Sequence, residues 1–400
     1  MAYKQNFDFD EIIDRHHTHS SRYDDLEKYN EKDLVPLTTA DMNFRTAPCV
    51  LDAIKEITDK GIFGYPMVMP AYYDAVILWE KRKEFDLRKE WIKTAPGVIN
   101  AFTYLMLNET EEGDEAVFLS PMYHPFARKL KSSGRKAVRS SFIYDDGEYR
   151  IDFDDLEAKL SSPKARLMIL CNPHNPVGIV FTYEEIKKIF DLCLKYDVLL
   201  FSDEIHADIV YSESRFVSAG KVAADCGNEY LAHLAVAISG SKTFNIAGLQ
   251  DAVIIIPDEE IRQRYDKYIH KIHVFNDNLL GIVATEAAFS KGGEWCDALV
   301  QYLEGNRDFI VKYIKENIPL LNVIVPEATY MAWIDCRKLN MTDEEIKNFF
   351  VHQCHLLFNS GSQFGDEGKG FVRMNFALPK SELERVLENM KHGLESIDRN

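Results

Sequence analysis

Apolar and polar positions follow two rhythms in the middle of this chain. Five short runs are apolar without interruption: Ala116-Val117-Phe118-Leu119, Leu167-Met168-Ile169-Leu170, Val198-Leu199-Leu200-Phe201, Ala235-Val236-Ala237-Ile238 and Val253-Ile254-Ile255-Ile256. Such runs suit strands covered on both faces, as in a parallel sheet flanked by helices. Between them the apolar residues return at helical spacing. Thr182 opens a Thr-x-x-Glu capping box with Glu185. Ile186, Ile189, Phe190, Cys193 and Leu194 then form one stripe at i, i+3, i+4, i+7 and i+8. This alternation of strand and helix predicts an α/β architecture built on a mostly parallel sheet.

Past residue 290 the rhythm changes. A long helical stretch over 295–318 leads to strand-like segments at 321–325 and 330–334. A last helix carries Leu383, Val386, Leu387, Met390, Leu394 and Ile397 on one face. The first 47 residues are polar and broken. The pattern predicts a large domain over 48–289 and a small α+β domain formed by 1–47 with 290–400.

Charge and composition narrow the function classes. The 400 residues carry 47 Lys and Arg against 64 Asp and Glu, a formal charge of −17. An acidic surface disfavours nucleic acid and anionic membranes, leaving room for a local basic pocket. No apolar run approaches the ~20 residues of a membrane span. The seven cysteines are odd in number, scattered and free of any CxxC pair. With no apolar signal stretch near the start, this reads as a reduced cytoplasmic chain. His16, His17 and His19, and likewise His352 and His355, read as a solvated turn and a half-buried helix rather than as metal ligands.

Three polar segments follow apolar runs, where ligands gather in open α/β sheets. They are Cys171-Asn172-Pro173-His174-Asn175-Pro176-Val177-Gly178, Ser202-Asp203-Glu204-Ile205-His206 and Ser239-Gly240-Ser241-Lys242-Thr243-Phe244-Asn245. A lysine among small hydroxyl residues after a strand can form a Schiff base with pyridoxal 5'-phosphate. That cofactor needs a carboxylate on its ring nitrogen, for which Asp203 fits. Asn175 and His206 are candidates for its phenolic oxygen. Ser239, Ser241 and the turn at Pro96-Gly97-Val98-Ile99-Asn100, with Val98 and Ile99 opening a helix, can receive its phosphate.

The ordered set Asn-Pro-x-Asn-Pro-x-Gly, Ser-Asp-Glu-Ile-His and Ser-x-x-Lys-Thr-Phe-Asn resembles fold-type-I pyridoxal-phosphate enzymes. Within them it most resembles the cystathionine β-lyase and cystalysin branch, the MalY-type C–S lyases of the class I/II aminotransferase superfamily. Supporting text lies at Ala40-Asp41-Met42, Phe63-Gly64-Tyr65, Ser120-Pro121-Met122-Tyr123, Thr329-Tyr330-Met331-Ala332-Trp333 and Gly370-Phe371-Val372-Arg373-Met374-Asn375. The resemblance implies a large domain with a seven-stranded sheet and a small α+β domain. It implies Lys242 as cofactor lysine and base, Tyr123 stacked on the ring, and Arg373 clamping the substrate carboxylate, with Asp41 also near the substrate. It places Tyr65 on the cofactor phosphate of a neighbouring subunit, hence a homodimer with shared active sites.

The implied activity is α,β-elimination of an L-cysteine thioether to a thiol, pyruvate and ammonia. An aminotransferase is the same-class alternative. A cofactor-binding regulator acting through a partner protein is the second. Gln250 stands where the broad aminotransferase pattern has a phosphate-binding arginine, which tilts the reading towards the lyase. Other departures from the branch are Arg22-Tyr23-Asp24, Asn43 and His124.

Overall fold

In the computed structural model, which describes residues 7–395 apart from 30, 32, 146, 275 and 276, the five apolar runs are the inner strands of one sheet. Its seven strands are β1 (Ile92–Ala95), β2 (Glu115–Ser120), β3 (Lys136–Ser141), β4 (Ala165–Cys171), β5 (Leu199–Asp203), β6 (Leu234–Ile238) and β7 (Ala252–Ile255). They lie in the order β1-β7-β6-β5-β4-β2-β3. The block from β6 to β3 is parallel, and β7 runs antiparallel to both its neighbours.

The two edge strands, β1 and β3, are the ones with no continuous apolar run. Ile-Lys-Thr-Ala and Lys-Ala-Val-Arg-Ser-Ser carry polar residues because much of each remains open to water. Inner strands are buried on both faces, and their side chains divide with the period of two. Phe118, Ile169, Phe201 and Ile254 pack with Ala101, Phe102, Leu105 and Met106 of the helix Val98–Glu109. Val117, Met168, Leu200 and Val253 join the other core, with Ile186, Ile189 and Phe190 of the helix Tyr183–Lys195. That helix begins at the capping box: Thr182 Oγ1 accepts from Glu185 N at 3.2 Å, and Glu185 Oε2 accepts from Thr182 N at 2.9 Å.

A second sheet gathers later residues. Its strands β8 (Asn322–Ile324), β9 (Met331–Asp335), β10 (Asn359–Ser360) and β11 (Phe371–Asn375) are antiparallel in the order β8-β9-β11-β10. Helices Gly293–Asn317 and Lys380–Glu395 accompany it. The latter buries Leu383, Val386, Leu387, Met390 and Leu394, while Ile397 lies outside the described residues. The N-terminal segment joins this part of the chain. Val35–Pro36 pairs in parallel with Leu356–Leu357, and Phe9 packs edge-on against Phe44 and Trp295.

Because β2, β4, β5 and β6 are parallel, their carboxyl ends open on one edge of the sheet. Register places Cys171 opposite Asp203, and Asp203 opposite Ala237, so the three polar segments leave the sheet side by side. Past the end of β2, Met122 N donates to Phe364 O at 2.9 Å, in the turn Gly361–Phe364 that connects β10 to the approach to β11. A Cβ on Gly361 would meet Gly368 O and, at 2.7 Å, Phe371 O. Both are backbone atoms with no room to yield. Gly361→Ala is therefore expected to destabilise the fold by about 1–3 kcal/mol, as overpacking of a filled site does. Urea unfolding measures it, and an unchanged midpoint would refute the close approach.

Candidate active site

Lys242 stands on the short helix Gly240–Thr243 that follows β6. Ser239 caps that helix by accepting from Ser241 N at 3.1 Å, and its hydroxyl lies 2.6 Å from Asp251 O. Lys242 Nζ donates to Ala40 O at 2.6 Å. Its side chain lines a cavity of about 190 Å³ together with Asp203, His206, Asn175, Tyr123, Ser241 and the turn at 96–100.

Burial dominates the electrostatics of that cavity. It pushes the Asp203 carboxyl up to about 7, although Ile205 N donates to Oδ1 at 3.1 Å and Lys242 also favours the anion. It pulls the Lys242 ammonium down to about 8, with Arg373 adding to the effect and Asp41 and Asp203 opposing it. His206 is buried, held neutral with a pKa of about 3, and its Nδ1 has no partner among the described residues. At the other end, the helix Val98–Glu109 begins at Gly97, whose φ of 97° is a left-handed conformation that favours glycine. No side chain caps it, so the N–H groups of Val98 and Ile99 stay available to an anion.

Such a donor set suits pyridoxal phosphate. Asp203 is a carboxylate short of a cation, which a protonated ring nitrogen supplies. Lys242 is an amine whose neutral form burial brings within easier reach than an ordinary lysine's. The uncapped helix start and Ser241 can receive a phosphate.

Arg373, in the middle of β11, is buried and has no carboxylate partner among the described residues. Its Nη1 donates to Asn175 Oδ1 at 3.0 Å, and its Nη2 donates to Thr38 O at 2.8 Å and Asn359 Oδ1 at 2.7 Å. Nε is unpartnered. Burial draws the guanidinium down to about 10. Arg373 lines a second cavity of about 370 Å³ with His124 and Asn359. The two cavities share Ala40, Tyr123 and Lys242, so the lysine stands at their junction. His124 is half-buried there and held neutral, its pKa lowered to about 4 by burial and then by Arg128 and Arg373.

Three residues that the sequence reading places at the ligands stand elsewhere in this chain. Asp41 lines neither cavity: Arg15 at 2.7 Å and Arg22 at 3.0 Å, both from the N-terminal segment, hold its carboxylate. Ser239 caps the lysine helix and does not line the cofactor cavity. Tyr65 is 94% exposed and lines neither cavity. Sequence reasoning also misses some participants. Cys171 lines the first cavity, its thiol kept protonated by burial and by Asp203. Its place at the end of an apolar run was the available signal. The carbonyls of Ala40 and Thr38 leave no side-chain signature, and Asn359 lies in no motif.

Comparison with known proteins gives one consistent picture. The family model described as aminotransferase class I and II matches residues 32–390. Cystathionine beta-lyase PatB of Bacillus subtilis (strain 168) is 34% identical, over 96% of this chain and 99% of its own. Cystalysin from Treponema denticola, solved with a pyridoxal 5'-phosphate cofactor, superposes with a TM-score of 0.94 at 30% identity, over 98% of this chain and 100% of its own. A pyridoxal-phosphate-bound protein of Clostridium difficile 630, provisionally described as an aminotransferase, reaches a TM-score of 0.93 at 37% identity, over 97% of this chain and 100% of its own. A lysine and an uncompensated carboxylate beside an uncapped helix start thus coincide with a match over nine-tenths of the sequence, and the chain belongs to the aminotransferase class I and II family of pyridoxal-phosphate-dependent enzymes.

Proposed function

We propose that this protein is a pyridoxal-phosphate-dependent carbon–sulfur β-lyase that converts an L-cysteine thioether to a thiol, pyruvate and ammonia. The observation that carries the reading is Arg373, a buried guanidinium with no carboxylate partner among the described residues, lining the same cavity as Lys242. It calls for an amino-acid carboxylate, which an arginine fork binds through two parallel hydrogen bonds. The name of the Bacillus subtilis relative supports lyase chemistry. Exposed Gln250, outside both cavities, offers no arginine to the phosphate in the manner of the aminotransferase pattern.

Each residue has a defined task in this reading. Arg373 seats the substrate carboxylate and so turns the α-C–H bond towards Lys242. Bound pyridoxal phosphate supplies an electron sink next to the substrate's α-carbon. Lys242 Nζ removes the α-proton, which its burial favours by bringing the ammonium pKa down to about 8. With that proton on nitrogen, the electron pair left on carbon expels the thiolate from the β-carbon. Asp203 holds the ring nitrogen in its charged form, and the charge of that nitrogen brings the Asp203 pKa back down. Asn175 and His206 would hold the ring oxygen, Tyr123 would lie against the ring, and Val98, Ile99 and Ser241 would hold the phosphate. The substrate enters between a large body, 48–289, and a small one, 1–47 with 290–400, in a reducing cytoplasm where all seven cysteines stay free.

A second copy of the chain is the partner we propose. Ile62, Phe63, Tyr65, Met67 and Met69 are each more than half exposed and adjoin one another in sequence. A second subunit would cover them and bring Tyr65 to the neighbouring phosphate site.

Three outcomes test these assignments. Lys242→Ala is expected to lower pyruvate release by about 10³-fold or more, read by a coupled dehydrogenase, and to abolish visible absorbance. Retained turnover would remove Lys242 as the base. In cofactor-free protein, the rate of covalent pyridoxal-phosphate uptake needs the neutral amine, whose fraction grows as pH rises towards its pKa of about 8. Uptake is expected to accelerate about tenfold between roughly pH 6 and 7 and to level off above 8. A flat profile would sink that assignment. Mixing inactive Lys242→Ala and Tyr65→Ala subunits is expected to restore about a quarter of wild-type activity, since half the dimers then hold one intact site. No recovery on mixing would rule out Tyr65 acting across subunits.

A further inference from the structure

Thr243, the residue after Lys242, leads into a buried ion network that no step above uses. Lys83 Nζ donates to Glu80 Oε1 at 2.6 Å and to Asp208 Oδ1 at 2.9 Å, and its side chain is only 6% exposed. Glu80 is fully buried, and its other oxygen has no partner among the described residues. Asp208 also accepts from Trp79 Nε1 at 3.0 Å and from Thr243 Oγ1 at 2.7 Å. Thr243 is itself fully buried.

Three separate elements meet at this carboxylate. Trp79, Glu80 and Lys83 come from the end of the helix Pro70–Glu80 and the turn Lys81–Lys83. Asp208 lies on the loop that leaves β5, the same loop that carries His206 close after Asp203. Thr243 closes the four-residue helix that holds Lys242. Ser239 restrains that helix on one side of the lysine and Thr243 restrains it on the other. A buried ion triad is poor ground for stability alone, because desolvation offsets its attraction. Directional bonds to a charged group, however, fix the relative position of the elements they join.

We propose that Asp208 and Thr243 are positioning residues: the carboxylate, anchored by Lys83, fixes the lysine helix against the loop of Asp203 and His206. Lys242 Nζ and the Asp203 carboxylate are thereby set at one distance from each other across the cavity. The inference rests on the reading of Lys242 as the cofactor lysine. Misplacement of a reacting group by an ångström costs about a hundredfold in rate.

Thr243→Val keeps the shape and removes the hydroxyl, while Thr243→Ser restores it. In the holoenzyme, Thr243→Val is expected to lower kcat by about tenfold to a hundredfold with the substrate KM within about twofold. Cofactor-free Thr243→Val is expected to bind pyridoxal phosphate at least about tenfold more weakly by absorbance titration, since Lys242 and Asp203 no longer meet it together. Thr243→Ser should recover both. If Thr243→Val does not fold, Asp208→Asn, which weakens the hold of Lys83 while keeping an acceptor for Thr243, is expected to move both readouts the same way. A lower melting temperature with kcat and cofactor affinity unchanged would overturn the proposal, as would failure of Thr243→Ser to rescue. Wild-type protein that binds the cofactor but makes no pyruvate would refute the lyase reading instead, and the affinity titration would still decide the role of Thr243.

Discussion

Charge held out of water without its full set of counter-charges is the constraint on which this site depends. Lys242 and Arg373 are two cations, Asp203 is an anion, and burial pushes each towards its neutral form. Such an arrangement is costly unless a ligand completes it. The missing partners are a cation for Asp203 and an anion for Arg373. A pyridinium nitrogen and an amino-acid carboxylate are groups of those signs. The net charge of −17 belongs to the outer surface and gives no hint of this interior.

A short strap of backbone binds the halves of the site. Thr38 O accepts from Arg373 and Ala40 O accepts from Lys242 and from Tyr330 Oη, while Asn375 Nδ2 donates to Thr39 O and Asp41 O. Residues 38–41 thus touch the lysine that follows β6 of the large sheet and the arginine strand of the other sheet. Asp41 secures the strap from behind through Arg15 and Arg22. Its carboxylate therefore acts on the site through the path of the backbone as well as through its charge, which favours the Lys242 ammonium. The ion network at Asp208 meets the lysine from elsewhere: Ala40 O takes the tip of the Lys242 side chain, while Thr243, its neighbour in sequence, ties the lysine helix to Asp208.

Legibility in the sequence followed burial. The inner strands were visible because strands covered on both faces leave continuous apolar runs. The edge strands Ile92–Ala95 and Lys136–Ser141 were not, because an open edge admits polar residues and mixes the pattern. Lys242, Asp203, Asn175, His206, Tyr123 and Arg373 could be named because their side chains carry chemistry and sit in motifs, and all six line one or both of the cavities. Ser239 and Asp41 also sit in motifs, but a hydroxyl and a carboxylate serve equally well as a helix cap and as an ion-pair partner. Nothing in the residue type separates those uses.

The chain by itself determined its layered α/β core, the capped helix at Thr182 and the residue types gathered at one sheet edge, because local periodicity and motif spacing encode them. Tertiary structure alone decided which of those residues share a cavity, which carbonyls take up the lysine, and that Arg373 has no carboxylate partner among the described residues. The reason is physical: Lys242 and Ala40, and likewise Arg373 and Asn175, are about two hundred residues apart in sequence and within hydrogen-bonding distance in space. Burial and hydrogen-bond partnership are properties of that proximity, and no one-dimensional pattern carries them.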